Sequence, residues 1–174
     1  MTDLNKVYID ACLFINLAKH ELVMASKDVN ERNAWLTKRF IKAAKDKNIQ
    51  VLTSSLSIAE CTHIKGKGSP SDDARQFFDG LLASGRSGVD LVQPTLTIIR
   101  KARDLRWIHG IPLKGALDAI HVASALDREC GELLTTDKKI LNKNSKLHKL
   151  GLKICEPEET TLLPDKYRQE DLDF

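Results

Sequence analysis

The sequence contains no apolar run approaching the roughly 18 residues that a membrane-spanning helix needs, which excludes a helical membrane span. No basic stretch followed by an apolar one and a cleavage site precedes the first strand-like run at Val7, so the expectation is a cytoplasmic protein. Cysteines are few and scattered: Cys12, Cys61, Cys130 and Cys155 form no C-x-x-C pair. Most lie in or beside apolar stretches, the pattern of reduced, buried thiols rather than of a disulfide framework. Cys61-x-His63 lacks the second pair that a zinc site requires. Aromatic residues make up only 5% of the chain, and both tryptophans, Trp35 and Trp107, fall on apolar helical stripes, reading as core rather than as platforms for stacked bases. There is no internal repeat.

What is present suits one domain. At 174 residues and 42% hydrophobic, the chain can bury a real core, whereas two domains would be cramped. The net charge of +3 is unevenly spread: between residues 156 and 174 seven acids face only Lys166 and Arg168, a local balance of −5, which leaves +8 on the body. A basic body suits a polyanionic partner, and solvated surface lysines give the same count. Residues 1–156 read as the folded domain and residues 157–174 as an acidic tail with few core candidates, expected to be a loose arm.

Along the body, short apolar runs alternate with helical periodicity. Strands are expected at 7–9, 49–53, 89–92, 133–136 and 153–155. Helices are expected at 11–20, 26–47, from Ser57 onward, at 72–84, at 94–107 with a proline near its first turn, and at 117–126. A Gly/Lys/Ser/Pro loop at 66–71 and the breaks at 85–88 and 110–112 separate them. The alternation predicts an α/β fold with a parallel sheet of about five strands, helices on both faces and right-handed crossovers. Ligands in such sheets bind outside the carboxyl ends of the strands.

Four acids fall at that edge. Asp10 ends the first strand, Glu60 lies in an early turn of the helix after the second, Asp118 opens a later helix, and Asp137 ends the fourth strand. Each also has an ordinary reading. Asp118 and Glu60 would be favourable charges at helix N-termini, with Ser57 completing a capping box for Glu60; Asp10 and Asp137 would be turn or cap residues. Taken together, four carboxylates repel one another unless cations neutralise them. An oxygen-only ligand set favours Mg²⁺ or Mn²⁺ over zinc. Two such ions about 4 Å apart would activate a water and stabilise the leaving oxygen of a phosphodiester.

The stretches Val7-Tyr8-Ile9-Asp10, Leu56-Ser57-Ile58-Ala59-Glu60, Leu117-Asp118-Ala119-Ile120-His121-Val122-Ala123-Ser124-Ala125 and Leu133-Leu134-Thr135-Thr136-Asp137 resemble the motif set of PIN-domain nucleases. The third, D-A-x-H-x-A-x-A, followed by a short strand ending T-x-D, is the most specific. The resemblance implies a three-layer α/β/α sandwich and cleavage of single-stranded RNA dependent on Mg²⁺ or Mn²⁺, with Asp10, Glu60, Asp118 and Asp137 as the acidic quartet. It also implies kinship with VapC-type toxins, often homodimers silenced by an antitoxin protein. Where that family often carries Thr, Ser or Asn directly after the first acid, this chain has Ala11-Cys12; it is also longer, with extra residues around 66–88.

Around the quartet, Thr135 is a candidate to hold a carboxylate or water, and Lys114 either meets a phosphate or is a solvated loop lysine. His121, one turn beyond Asp118, reads as a packed, hydrogen-bonded histidine or as a proton carrier. The lysines at 138, 139, 143, 146 and 149 either track an RNA backbone, structured or single-stranded, or form a solvated face. Two competing functions remain. A phosphatase forming an aspartyl-phosphate on Asp10 would want a second Asp at position 12, which is Cys12. A catalytically inactive PIN-like module would bind RNA or a protein partner and keep the acids for structure.

Overall fold

A computed structural model describes residues 4–22, 29–61 and 71–169. The candidate zinc residue His63 and all but Ser71 of the loop expected at 66–71 lie outside the described residues, as do the last acids of the tail. The described residues include five strands: β1 (Lys6–Ile9), β2 (Gln50–Ser54), β3 (Val89–Val92), β4 (Glu132–Leu134) and β5 (Lys153–Cys155). They form one sheet in the order β3-β2-β1-β4-β5, with every neighbouring pair parallel. The helices are α1 (Ala11–Glu21), α2 (Glu31–Lys45), α3 (Leu56–Glu60), α4 (Asp72–Phe78), α5 (Leu96–Trp107), α6 (Ala116–Asp127), α7 (Lys138–Leu141) and α8 (Asn144–His148).

Strand alternation sorts side chains to the two faces. Val7, Ile9, Val51, Val89, Leu134 and Cys155 pack under α1, α2 and α4 in one core, with Phe14, Phe40 and Phe78. Tyr8, Leu52, Val92, Leu133 and Ile154 point the other way into a second core closed by α5 and α6, with Ile98, Leu105 and Val122. The sheet is therefore the middle layer of an α/β/α sandwich, buried on both sides as parallel sheets require.

Several boundaries differ from expectation for local reasons. Of the helix expected over 26–47, residues 26–28 lie outside the described residues; the helix spans Glu31–Lys45, and the Asn30 side chain caps it by accepting from the Asn33 N–H at 2.9 Å. The helix expected from Pro94 starts at Leu96, capped by Thr95. The helix expected over 72–84 is regular only to Phe78 and then widens into a π-helical turn, Asp79–Ala83. β4 stops at Leu134, so Asp137 lies beyond the strand instead of ending it. At Gly88 the chain takes φ +80, and an added Cβ would come within 2.8 Å of the Lys45 backbone nitrogen; only glycine fits where β3 enters beside α2.

The expected loose arm is not found over residues 157–169. Leu163 and Tyr167 are buried in the first core, and the Tyr167 hydroxyl donates to Asp46 at 2.8 Å. Thr160 and Thr161 donate to Glu132 at the start of β4. The acid count of this segment conceals a spaced set of apolar side chains that the body needs as a lid on its first core.

Candidate active site

The chain leaves β1 toward β2 and β3, then crosses back to place β4 on the other side of β1. That reversal opens a crevice outside the carboxyl ends of β1 and β4, the place where open parallel sheets bind ligands. Asp10 follows β1 directly, and Thr135, Thr136 and Asp137 follow β4.

Asp10 occupies the N-cap position of α1, yet its side chain makes no cap hydrogen bond. Its Oδ2 accepts instead from the Thr135 hydroxyl at 2.6 Å and from the Cys12 thiol at 3.2 Å. Asp10 is only 7% exposed, and among the described residues no lysine, arginine or histidine forms an ion pair with it. The same Thr135 oxygen accepts the Asp137 backbone N–H at 3.0 Å, so one buried hydroxyl ties the ends of β1 and β4 together. Thr135 thus provides the hydroxyl that the residue after Asp10 does not. Cys12 adds a second neutral donor: burial and the charge of Asp10 push its thiol up to about 12, so it remains protonated and is no thiolate ligand.

Glu60 reaches the site differently from the expectation. α3 is a single turn, so Glu60 is its last residue rather than an early one. Ser57 does not cap it; the Ser57 hydroxyl is engaged by Thr53 at 2.8 Å. Glu60 Oε2 instead lies 2.6 Å from His121 Nε2, and His121 Nδ1 lies 2.7 Å from the Tyr8 hydroxyl. His121 is 1% exposed. Burial pushes its pKa down, but the hydrogen bond to Glu60 and the charges of Asp10, Glu60 and Asp118 outweigh this and raise it. As the cation, or neutral with its proton on Nε2, the ring donates to Glu60. Burial, with Asp10 nearby, pushes the Tyr8 phenol far above its ordinary value, which keeps it a neutral partner.

Asp118 and Asp137 retain part of their ordinary roles. Asp118, third residue of α6, accepts the Gly115 N–H at 3.3 Å, and Asp137 caps α7 by accepting the Lys139 N–H at 2.8 Å. The structure therefore brings Asp10, Glu60 and Asp118 within electrostatic reach of one histidine and links Asp137 to Asp10 through Thr135. It does not close them into a finished cage: among the described residues no group of three or more His, Cys, Asp or Glu side chains is already gathered tightly enough to hold an ion. Lys114 is exposed just before α6 and forms no ion pair among the described residues. Sequence reasoning missed Tyr8 and the donor role of Cys12. The three-residue spacing of Asp118 and His121, which places both on one helix face, was the available signal for His121.

The donor set fits a hard divalent cation. The carboxylates offer only oxygen, the neighbouring thiol is neutral, and the side chains that donate to the buried Asp10 carboxylate among the described residues are a neutral hydroxyl and a neutral thiol. Among the described residues no helix is long and apolar enough to cross a membrane. No curated protein matches the sequence. A family model, PIN domain, matches residues 7–146, a span that runs from β1 into α8 and includes all four acids. With its parallel-sheet sandwich and an acidic crevice at the strand reversal, the chain belongs to the PIN domain family, whose members are generally metal-dependent nucleases.

Proposed function

We propose that the protein is an endoribonuclease that hydrolyses RNA phosphodiester bonds with Mg²⁺ or Mn²⁺. The observation that carries this reading is Asp10: a buried carboxylate just beyond β1, with no ion-pair partner among the described residues, whose charge acts on His121 together with those of Glu60 and Asp118. A buried anion left in that state costs stability unless a cation joins it. Asp10, Asp118 and Asp137 would hold the metal directly, and Glu60, held by His121, would act through water. Bound there, the cation supplies Lewis-acid polarisation of the phosphate and activation of a water nucleophile.

The chain's own groups do the rest. The Thr135 hydroxyl and Cys12 thiol fix the face that Asp10 presents, and Tyr8 and His121 aim Glu60 toward the crevice. In-line attack by water leaves a 5′-phosphate and a 3′-hydroxyl. The test is cleavage of single-stranded RNA with Mn²⁺ or Mg²⁺ by the wild type and by Asp118→Asn; equal cleavage by the two would remove the idea.

The reading extends to a cytoplasmic toxin of VapC type, acting as a homodimer and silenced by an antitoxin protein. A small reading frame beside the gene whose product blocks cleavage is the expected result, and a product without effect on cleavage would end this extension. The competing reading, an inactive RNA-binding module, is favoured by one observation: Asp118 and Asp137 each spend an oxygen on a backbone N–H. Heat released on titrating Mn²⁺ into the wild type but not into Asp10→Asn separates the two.

A further inference from the structure

Trp107 does not sit in the core. It is the last residue of α5 and is 74% exposed, with the Arg103 guanidinium 5.0 Å from its ring centroid. The indole stands at the rim of a cavity of about 280 Å³ that is also lined by Arg103, Arg106, Leu113, Lys114 and Gly115. Gly115 is the residue whose N–H is bound by Asp118. Lys114 also lines a second cavity of about 360 Å³, together with Pro112, Lys139, Asn142 and Lys143. The Lys139 N–H is bound by Asp137. The two cavities share Lys114 and abut two of the four acids of the site, and no acid lines either of them. Among the described residues, Arg103 pairs with Asp104, and Arg106, Lys114, Lys139 and Lys143 have no ion-pair partner.

We propose that these cavities form one furrow that seats a single-stranded nucleic acid beside the scissile bond, with a nucleobase stacked on Trp107 and phosphates on Arg106, Lys114, Lys139 and Lys143. The proposal rests on the nuclease reading of the acids and specifies how substrate reaches them. A single strand offers an unpaired π-face together with regularly spaced negative charge, matching an exposed indole set among cations. A duplex keeps its bases stacked on one another and cannot offer that face. A second copy of this chain is the poorer occupant, because a two-fold contact centred on the furrow would set the same cations against each other.

The experiment measures binding of a fluorescently labelled ten-nucleotide single-stranded RNA in EDTA, where metal-dependent turnover is off. Base–aromatic stacking predicts that Trp107→Ala weakens binding about tenfold, while Trp107→Phe, which keeps a ring, stays within about threefold of wild type. With unlabelled RNA, tryptophan emission is quenched on binding in the wild type and not in Trp107→Phe, a readout that needs no destabilising change. Lys114→Ala lowers the slope of log affinity against log salt by about 0.7. Equal affinity of wild type and Trp107→Ala, or no quenching in the wild type, overturns the proposal. So does a Trp107→Ala variant that turns a dimer into a monomer while RNA affinity is unchanged, which assigns the face to a second copy. Binding with the Trp107 signature but no cleavage in Mn²⁺ overturns the nuclease reading and leaves the furrow standing; cleavage without the signature does the reverse.

Discussion

Two buried carboxylates sit at opposite ends of neighbouring strands and are treated in opposite ways. Glu132 opens β4 and is 2% exposed; it accepts from Lys153 at 2.9 Å, from the hydroxyls of Thr160 and Thr161 and from the Thr161 N–H. Burial alone would raise its pKa, but these hydrogen bonds outweigh it and hold the carboxyl below its ordinary range. Asp10, just past the end of the paired strand β1, is nearly as buried and, among the described residues, has a hydroxyl and a thiol as its side-chain donors. Among the described residues, one anion is completed by a cation of the chain and the other is not. Glu132 thereby pins the terminal segment to the sheet, whereas Asp10 is left with charge to offer a ligand.

Neutralising each acid in turn separates the two roles. Asp10→Asn should lower RNA cleavage by about 10³-fold, by analogy with the loss of a central electrostatic group in other active sites. It should leave the melting temperature unchanged or raise it, because it removes a buried charge that has no ion-pair partner among the described residues. A clear drop in melting temperature would show that Asp10 is structural after all. Glu132→Ala should do the opposite and destabilise by about 3 kcal/mol, since Lys153 and two threonines lose their acceptor. Residual folded protein should still cleave. Its pH dependence has a definite sign. The folded pKa of Glu132 is lowered, so its contribution is fully present above the unfolded value near 4.5 and is lost as pH falls through the folded value. Thermal melts from pH 6 to pH 3 should therefore show a shallower acid limb for Glu132→Gln than for wild type.

An intermediate effect is expected where the incomplete site is held from behind. His121→Phe fills a similar volume but cannot donate to Glu60, and loss of such a supporting hydrogen bond typically costs about 10- to 100-fold in metal affinity or activity. His121→Gln, able to donate from nearly the same place, should recover part of it, and Tyr8→Phe should fall between the two. A histidine that merely fills space would give Phe the smaller loss, visible in Mn²⁺ titrations and in cleavage rates.

The two ends of the sheet also differ in how openly the sequence displays them. The parallel sandwich could be read because strands buried on both faces are short apolar runs between amphipathic helices, as in Val7-Tyr8-Ile9 and Leu133-Leu134. Asp10 and Thr135 stood out because polar residues directly after such runs land in the crevice. The order of the strands was not readable, since no local pattern says that β4 lies beside β1. Glu132 was invisible as a structural anchor because its partners, Lys153 and Thr160, are far away in sequence and lie partly in a segment whose acidity suggested a loose arm. Trp107 was misplaced because helical periodicity identifies an apolar stripe without saying what covers it. Glu60 was misplaced within its helix because a one-turn helix has the same opening residues as a long one.

The smallest predicted change tests the chemistry of the donors around Asp10. If Cys12 serves as a neutral donor, Cys12→Ser keeps a hydrogen bond to Asp10 Oδ2 and changes cleavage by less than about threefold, since one neutral donor replaces another. Cys12→Ala removes the donor but leaves Thr135 in place, and should cost about 1 kcal/mol, or roughly fivefold. With its thiol pushed up to about 12, Cys12 should alkylate slowly with iodoacetamide at pH 8, slower than a free cysteine. Rapid alkylation, or a switch of metal preference toward Mg²⁺ in Cys12→Ser, would mean that sulfur is deprotonated beside the carboxylate. The oxygen-only character of the site would then fail, and with it the contrast between an acid the fold has paired and an acid left for a hard cation.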